Sequence, residues 1–210
     1  MPSQKSTANA GSVKAPKRER GRMRVAALMD AGAEVIAARG YAGATMTEIA
    51  ARAGASIGSL YQFFPSKEAL GDALLRRYGE RMEAALDGLL ARAAGASAAD
   101  LADGLVAVMT GLRDDRAAAL TLIEARDDLD AERQRLKALM LARLTAILTR
   151  GLPGLGDDRA GAMALMLLYV LKSIPALLAD DAGRAASMHD EVRRLIRLYV
   201  GADDDVVLET

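Results

Sequence analysis

The chain has 210 residues, 51% of them hydrophobic and 27% charged, which is enough to bury a sizeable core in one or two domains. It contains no cysteine and a single histidine. A disulfide framework and thiolate chemistry are therefore excluded, and nucleophilic or zinc catalysis lacks its usual parts.

The formal net charge of zero is unevenly distributed. Residues 1–77 carry twelve Lys/Arg against six Asp/Glu, whereas the rest carries sixteen against twenty-two. A basic N-terminal third is suited to meeting phosphates. No Gly-rich phosphate loop follows a strand pattern and no metal-ligand cluster is spaced along the chain, so the expectation is a protein that is not an enzyme, with no cofactor and no metal. The N-terminus lacks the apolar core of a secretory signal, and the apolar run Ala162–Leu171 is too short to span a bilayer. A cytoplasmic protein is expected.

Residues 1–21 include Lys5, Lys14, Lys17, Arg18 and Arg20 among Ser, Ala, Gly and Pro, the composition of a flexible basic arm. Two readings stay open for it: a solubilising leader, or an arm lying along phosphates or in a minor groove, with Arg22 and Arg24 as the contacts beside the first helix. That helix is predicted from Arg22 to Arg39, with Val25, Leu28, Gly32, Val35 and Ile36 on one face and Gly40 as its stop. Thr45 and Glu48 form a capping-box pair at the start of a second helix, whose Ile49, Ala50 and Ala53 make a narrow apolar stripe ending at Gly54. Ser56 caps a third helix, in which Leu60 with Phe63 or Phe64 packs inward. Ile57, Gly58, Ser59, Tyr61 and Gln62 are left facing outward. Pro65 ends that helix, and Ser66 caps a fourth with Leu70 and Leu74 inward and Lys67 placed to approach a phosphate.

The remainder reads as helix after helix, and no strand pattern competes. One stripe runs Leu74, Tyr78, Met82, Ala85 and Leu89; another runs Leu101, Leu105, Val108 and Leu112. The Gly95 region and residues 113–117 read as connectors. A long segment from about Arg116 to Arg150 stops at Gly151. Residues 159–179 are apolar nearly all round, which demands burial on most sides, and 184–200 repeat at Met188, Val192, Leu195, Ile196 and Tyr199. The fold class is all-α: a three-helix DNA-binding domain followed by a helical bundle.

The stretch Thr45, Ile49-Ala50, Ala53-Gly54, Ser56, Gly58, Leu60-Tyr61, Phe64, Ser66-Lys67-Glu68 and Leu70 resembles the DNA-binding domain of TetR (tetracycline-repressor-like) transcriptional regulators over roughly residues 24–77. Phe63 stands where many relatives carry His, and Ile57 where a polar reader is frequent. The resemblance implies a reading head contacting DNA through Arg22, Arg24, Thr45, Thr47, Ser56, Ile57, Gly58, Ser59, Tyr61, Gln62 and Lys67. It divides the chain into an arm (1–21), a helix-turn-helix domain (22–77), an effector-binding and dimerisation domain (78–202) and an acidic tail (203–210).

The same resemblance implies a four-helix dimer interface from the last two long helices, with Leu167, Val170, Leu171, Ile174, Met188, Val192, Leu195, Ile196 and Tyr199 as candidates. It also implies a pocket for a small effector. Met82, Met109, Met140 and Met166 would give an adaptable aliphatic lining there, with Tyr169 and a carboxylate, Glu124, that could sense a cation. The implied function is a homodimeric repressor on a pseudo-palindromic operator, released by that effector. A helical dimeric DNA-binding protein with no effector is the alternative.

Overall fold

The computed structural model describes residues 17–180 and 185–201, with side chains for all of these except 17, 18, 114, 174–180 and 185. Helices α1 (Lys17–Gly43), α2 (Met46–Arg52), α3 (Ile57–Phe63) and the start of α4 (Lys67–Ala93) make the N-terminal head. The bundle follows as α5 (Ala98–Gly111), α6 (Arg113–Ala125), a 3₁₀ turn at Asp127–Leu129, α7 (Asp130–Gly151), α8 (Asp157–Asp180) and α9 (Ala185–Gly201). The described residues contain no strand.

Local sequence accounts for the head. Thr45 Oγ1 accepts from Glu48 N at 3.2 Å, Ser56 Oγ from Ser59 N at 3.2 Å and Ser66 Oγ from Ala69 N at 3.1 Å, so three successive helices start on hydroxyl caps. Helix α2 closes with Ala55 N donating to Ala50 O and Gly54 N to Ala51 O, the paired bonds of a Schellman motif, with Gly54 at φ +61°. A side chain there would be strained, because L-residues rarely adopt that conformation. The expected return bond of the capping box is replaced: the Glu48 carboxylate pairs with Arg39 Nε at 3.3 Å, a cation delivered by the end of α1.

One core runs through head and bundle. Leu28, Ile36, Ile49, Leu60 and Leu70 are fully buried in the head, as are Met82, Leu86, Leu122 and Leu144 in the bundle. Helix α4 belongs to both, so the expected boundary at residue 77 falls inside a continuous helix. Helix α6 packs along α1 and α4 and makes the second bridge. Gly71 lets α6 come close to α4: a Cβ there would lie 2.9 Å from a methyl of Leu122.

Three boundaries depart from expectation. Helix α1 is helical from Lys17, so the last five residues of the expected arm belong to it; residues 1–16 and the tail 203–210 lie outside the described residues. The expected connector at 113–117 is helical, and the chain breaks at Leu112 alone. The expected long helix from Arg116 is interrupted at Arg126, whose backbone is extended (φ −133°, ψ 110°). There the guanidinium reaches across to Asp72 of α4 at 2.7 Å as well as to Asp128, a tertiary demand that helical periodicity does not carry.

Candidate nucleic-acid interface and effector cavity

The outer side of the head is built on α3. Ile57, Gly58, Tyr61 and Gln62 are exposed, as are Thr45, Thr47, Ser56, Arg22 and Arg24 around them. With Tyr61 49% and Ile57 40% exposed, two large side chains project into solvent from a seven-residue helix held by Leu60 and Phe64 beneath. Phe64 supplies the inward aromatic, while Phe63 stays partly exposed beside Val25, Ala26 and Met29 of α1.

Two expected contacts are placed differently. Ser59 is 9% exposed, so it does not face outward: it precedes Leu60 on the helix and turns with it toward the packing side. Lys67 does not stand free at the helix start. Its Nζ donates to the carbonyls of Tyr41 (2.8 Å), Ala44 (3.1 Å) and Ala42 (3.4 Å) and sits 4.6 Å from the Tyr41 ring centroid. The ammonium thus closes the chain end that follows Gly40, where φ of +74° interrupts α1. Three acceptors occupy its three donors, so its first role is holding α1 to α4.

Lys67→Ala is expected to cost about 1–3 kcal/mol of stability, the scale for bonds to a charged donor, read by urea unfolding. A variant of wild-type stability that binds DNA more weakly would assign the lysine to phosphate instead. For the outer face, Tyr61→Ala should weaken binding to operator and unrelated duplex alike, whereas Ile57→Ala or Gln62→Ala should change the preferred operator by about 1–3 kcal/mol per altered base contact. Competition titrations check both. An unchanged preference in the latter pair would mean that α3 docks in another register.

Within the bundle, α4, α6, α7 and α8 border a half-open cavity of about 340 Å³ lined by Tyr78, Met82, Ile123, Leu136, Met140 and Leu168, with Glu124, Arg133, Lys137 and Lys172 also on its wall. Of the expected effector residues, Met82, Glu124 and Met140 meet here. Met109 is buried elsewhere in the core, and Met166 and Tyr169 are 54% and 55% exposed on the outside of α8, so none of these three lines the cavity.

Arg116, 3% exposed, lies against Tyr78 and donates Nη2 to Lys172 O at 2.9 Å; its Nη1 is buried without a partner. Burial lowers the Arg116 pKa, and burial raises that of Tyr78 against the opposing pull of the guanidinium. The Lys172 pKa is lowered first by desolvation, then by Lys137, Arg116 and Arg133. No residue pattern marks this group, because its members come from four helices.

The two last helices divide the expected interface residues. Leu167, Leu171, Val192 and Ile196 are buried within the subunit, packed in its own core, and are unavailable to a partner. Val170 and Met188 are half-buried, Leu195 and Tyr199 are exposed, and the side chain of Ile174 lies outside the described residues. Leu165, Met166 and Tyr169 of α8 are exposed apolar residues that periodicity does not single out, because α8 is apolar nearly all round in sequence, and Leu198 of α9 is exposed as well.

Residues 28–74 match the family model described as "Bacterial regulatory proteins, tetR family". The matched stretch lies within the N-terminal head, which is accordingly similar to the DNA-binding part of tetR-family transcriptional regulators. No curated protein sequence matches it. Among solved structures it is similar to a TerR/AcrR-family transcriptional regulator from Aquifex aeolicus VF5 (TM-score 0.68, 16% identity, 83% of this chain and 98% of that one). It is likewise similar to GusR from Salmonella enterica (0.64, 22%, 90% and 97%) and to FadR from Bacillus subtilis in complex with stearoyl-CoA (0.59, 20%, 81% and 96%). At these identities the likeness is one of fold. No described helix is long and apolar enough to cross a membrane.

Proposed function

We propose that the protein is a homodimeric, cytoplasmic repressor whose two heads read a pseudo-palindromic operator and which a small effector in the bundle cavity releases. The observation that carries the reading is the half-open, largely apolar cavity bordered by the same helices, α4 and α6, that hold the head. The neighbour FadR, solved with stearoyl-CoA, agrees with a ligand-responsive bundle. Pairing is supported by the large apolar side chains left uncovered on α8 and α9, since monomers rarely expose such residues in groups without a partner. One three-helix head contacts too little DNA to be selective, whereas two reach half-sites about 34–36 Å apart or a multiple of that.

Coupling has a candidate path at the start of α6. Asp115, 8% exposed, accepts from Arg77 Nη2 at 2.6 Å and from Arg81 on α4, and Arg77 Nη1 bonds Asp30 of α1 at 2.7 Å. The next residue is Arg116, beside the cavity. A ligand that shifts the first turn of α6 therefore pulls on an ion-paired link to the head. The effector need only bind the released arrangement more tightly, and coupling of this kind is typically about 1–3 kcal/mol.

The deciding experiment is selection of bound fragments from the host's own DNA with the purified protein. Recovery of a two-fold symmetric site, bound by a species sedimenting as a dimer, is expected. Enrichment of a single unpaired half-site, or binding by a monomer, would overturn the paired-head reading. Ligand-blind binding across a metabolite screen would favour the effector-free alternative.

A further inference from the structure

We infer that the bundle cavity takes a small amphipathic anion, its apolar body against Met82, Leu136 and Met140 and its acidic head at Lys137 and Lys172, with the buried Arg116 behind Lys172. The effector reading above supplies only the consequence at DNA; the ligand class rests on the cavity itself.

The fold leaves positive charge beside the cavity unanswered. Arg116 is buried, yet no carboxylate among the described residues bonds or pairs with it, and one of its nitrogens has no partner at all. A guanidinium desolvated without a counter-charge is costly, and a fold retains one where something else completes it. The ammonium groups of Lys137 and Lys172, two residues of the cavity wall, make no hydrogen bond or ion pair with any described residue. Arg133 differs, because Asp130 answers it at 3.0 Å and the Ile123 carbonyl accepts its second nitrogen at 2.9 Å.

The opposing charge is small. Glu124 is the one carboxylate on the wall; it is exposed and pairs with none of these cations among the described residues. The site as built carries a surplus of cations facing a cavity whose other residues are apolar, which opposes the cation-sensing role expected for Glu124. Desolvation and three neighbouring cations press the Lys172 pKa down, and an anion placed among them would relieve that repulsion.

Size limits the body. At about 30 Å³ for each water-sized volume, the 340 Å³ cavity holds roughly eleven heavy atoms. A ten-carbon chain or a compact ring system fits; Tyr78 is the only aromatic side chain on the wall, so aliphatic matter is favoured.

The test is titration calorimetry on the full chain with four probes of equal length: decanoate, decyl phosphate, decan-1-ol and decyltrimethylammonium. Both anions should bind at least about tenfold more tightly than the alcohol, the scale of one charge-assisted bond, and the tighter of the two names the head group. The Lys137→Ala/Lys172→Ala double variant, altered at positions outside the core, should keep its melting temperature and its alcohol binding while losing the preference for anions. Equal or tighter binding of the ammonium probe, a preference that survives the double variant, or no binding by any probe would overturn the inference. Operator release is scored separately: anion binding that leaves DNA affinity unchanged upholds the ligand class and removes the effector reading.

Discussion

Replacing Asp115 by Ala is expected to lower stability by about 3–5 kcal/mol, the range for removing one partner of a buried ion pair. Arg77 is the reason. Its side chain is 13% exposed and bonds Asp115 with one nitrogen and Asp30 with another, so the substitution leaves a nearly buried guanidinium held only by a carboxylate that is itself 58% exposed. In a protein of about this length each kcal/mol moves the melting temperature by roughly 2–4 °C, so a fall of about 6–20 °C should appear by calorimetry.

A second variant separates the lost pair from general damage to α6. Arg77→Leu combined with Asp115→Leu removes both charges, while Asp30 and Arg81 retain access to water. That protein should recover most of the stability, since well-packed apolar replacements of buried pairs are often neutral or better. It should also bind operator yet respond less to effector, because the link from α6 to α1 is gone. A single variant of wild-type stability would show that Asp115 is solvated in solution and carries no coupling.

The second large effect is expected on the outer face of the last two helices. Met166→Glu with Leu198→Glu places two carboxylates where the side chains are 54% and 65% exposed, so the subunit's own stability should change by only about 0.5 kcal/mol at each site. If these residues meet a second copy, two desolvated charges per subunit will break the pair, and sedimentation at micromolar concentration should read a monomer. Operator affinity should then fall by about a thousandfold or more, toward the level of non-specific binding, because one head is left to do the work of two. A double variant that still sediments as a dimer would locate the interface elsewhere.

The head was legible in the sequence because its determinants are local. Thr45, Ser56 and Ser66 cap helices that begin at the next residue, Gly54 supplies a positive φ within the same turn, and Leu60 and Phe64 lie one helical turn apart. Spacing of 3.6 residues per turn says which way such side chains point. The reading fails where neighbours compete. Ser59 goes inward beside Leu60, and the Lys67 ammonium is claimed by carbonyls more than twenty residues earlier.

The bundle was legible as helices and not as surfaces. Helix α8 reads as apolar on all sides, and nothing in that pattern tells Leu167 and Leu171, which pack within the subunit, from Met166 and Tyr169, which do not. The break at Arg126 and the pairing of Arg77 with Asp30 and Asp115 span 38 to 54 positions of chain. Such partners meet only when helices pack.

By itself, then, the sequence determined an all-helical chain with a DNA-reading head and a basic N-terminal third, since caps, turns and periodicity act within a few residues. Only the tertiary structure decided which side of α8 is core, where the cavity lies, and that Lys137 and Lys172 face it, with Arg116 buried behind them, with too little opposing charge. Burial and counter-charge are properties of what surrounds a side chain, and the surroundings here come from helices far apart along the chain.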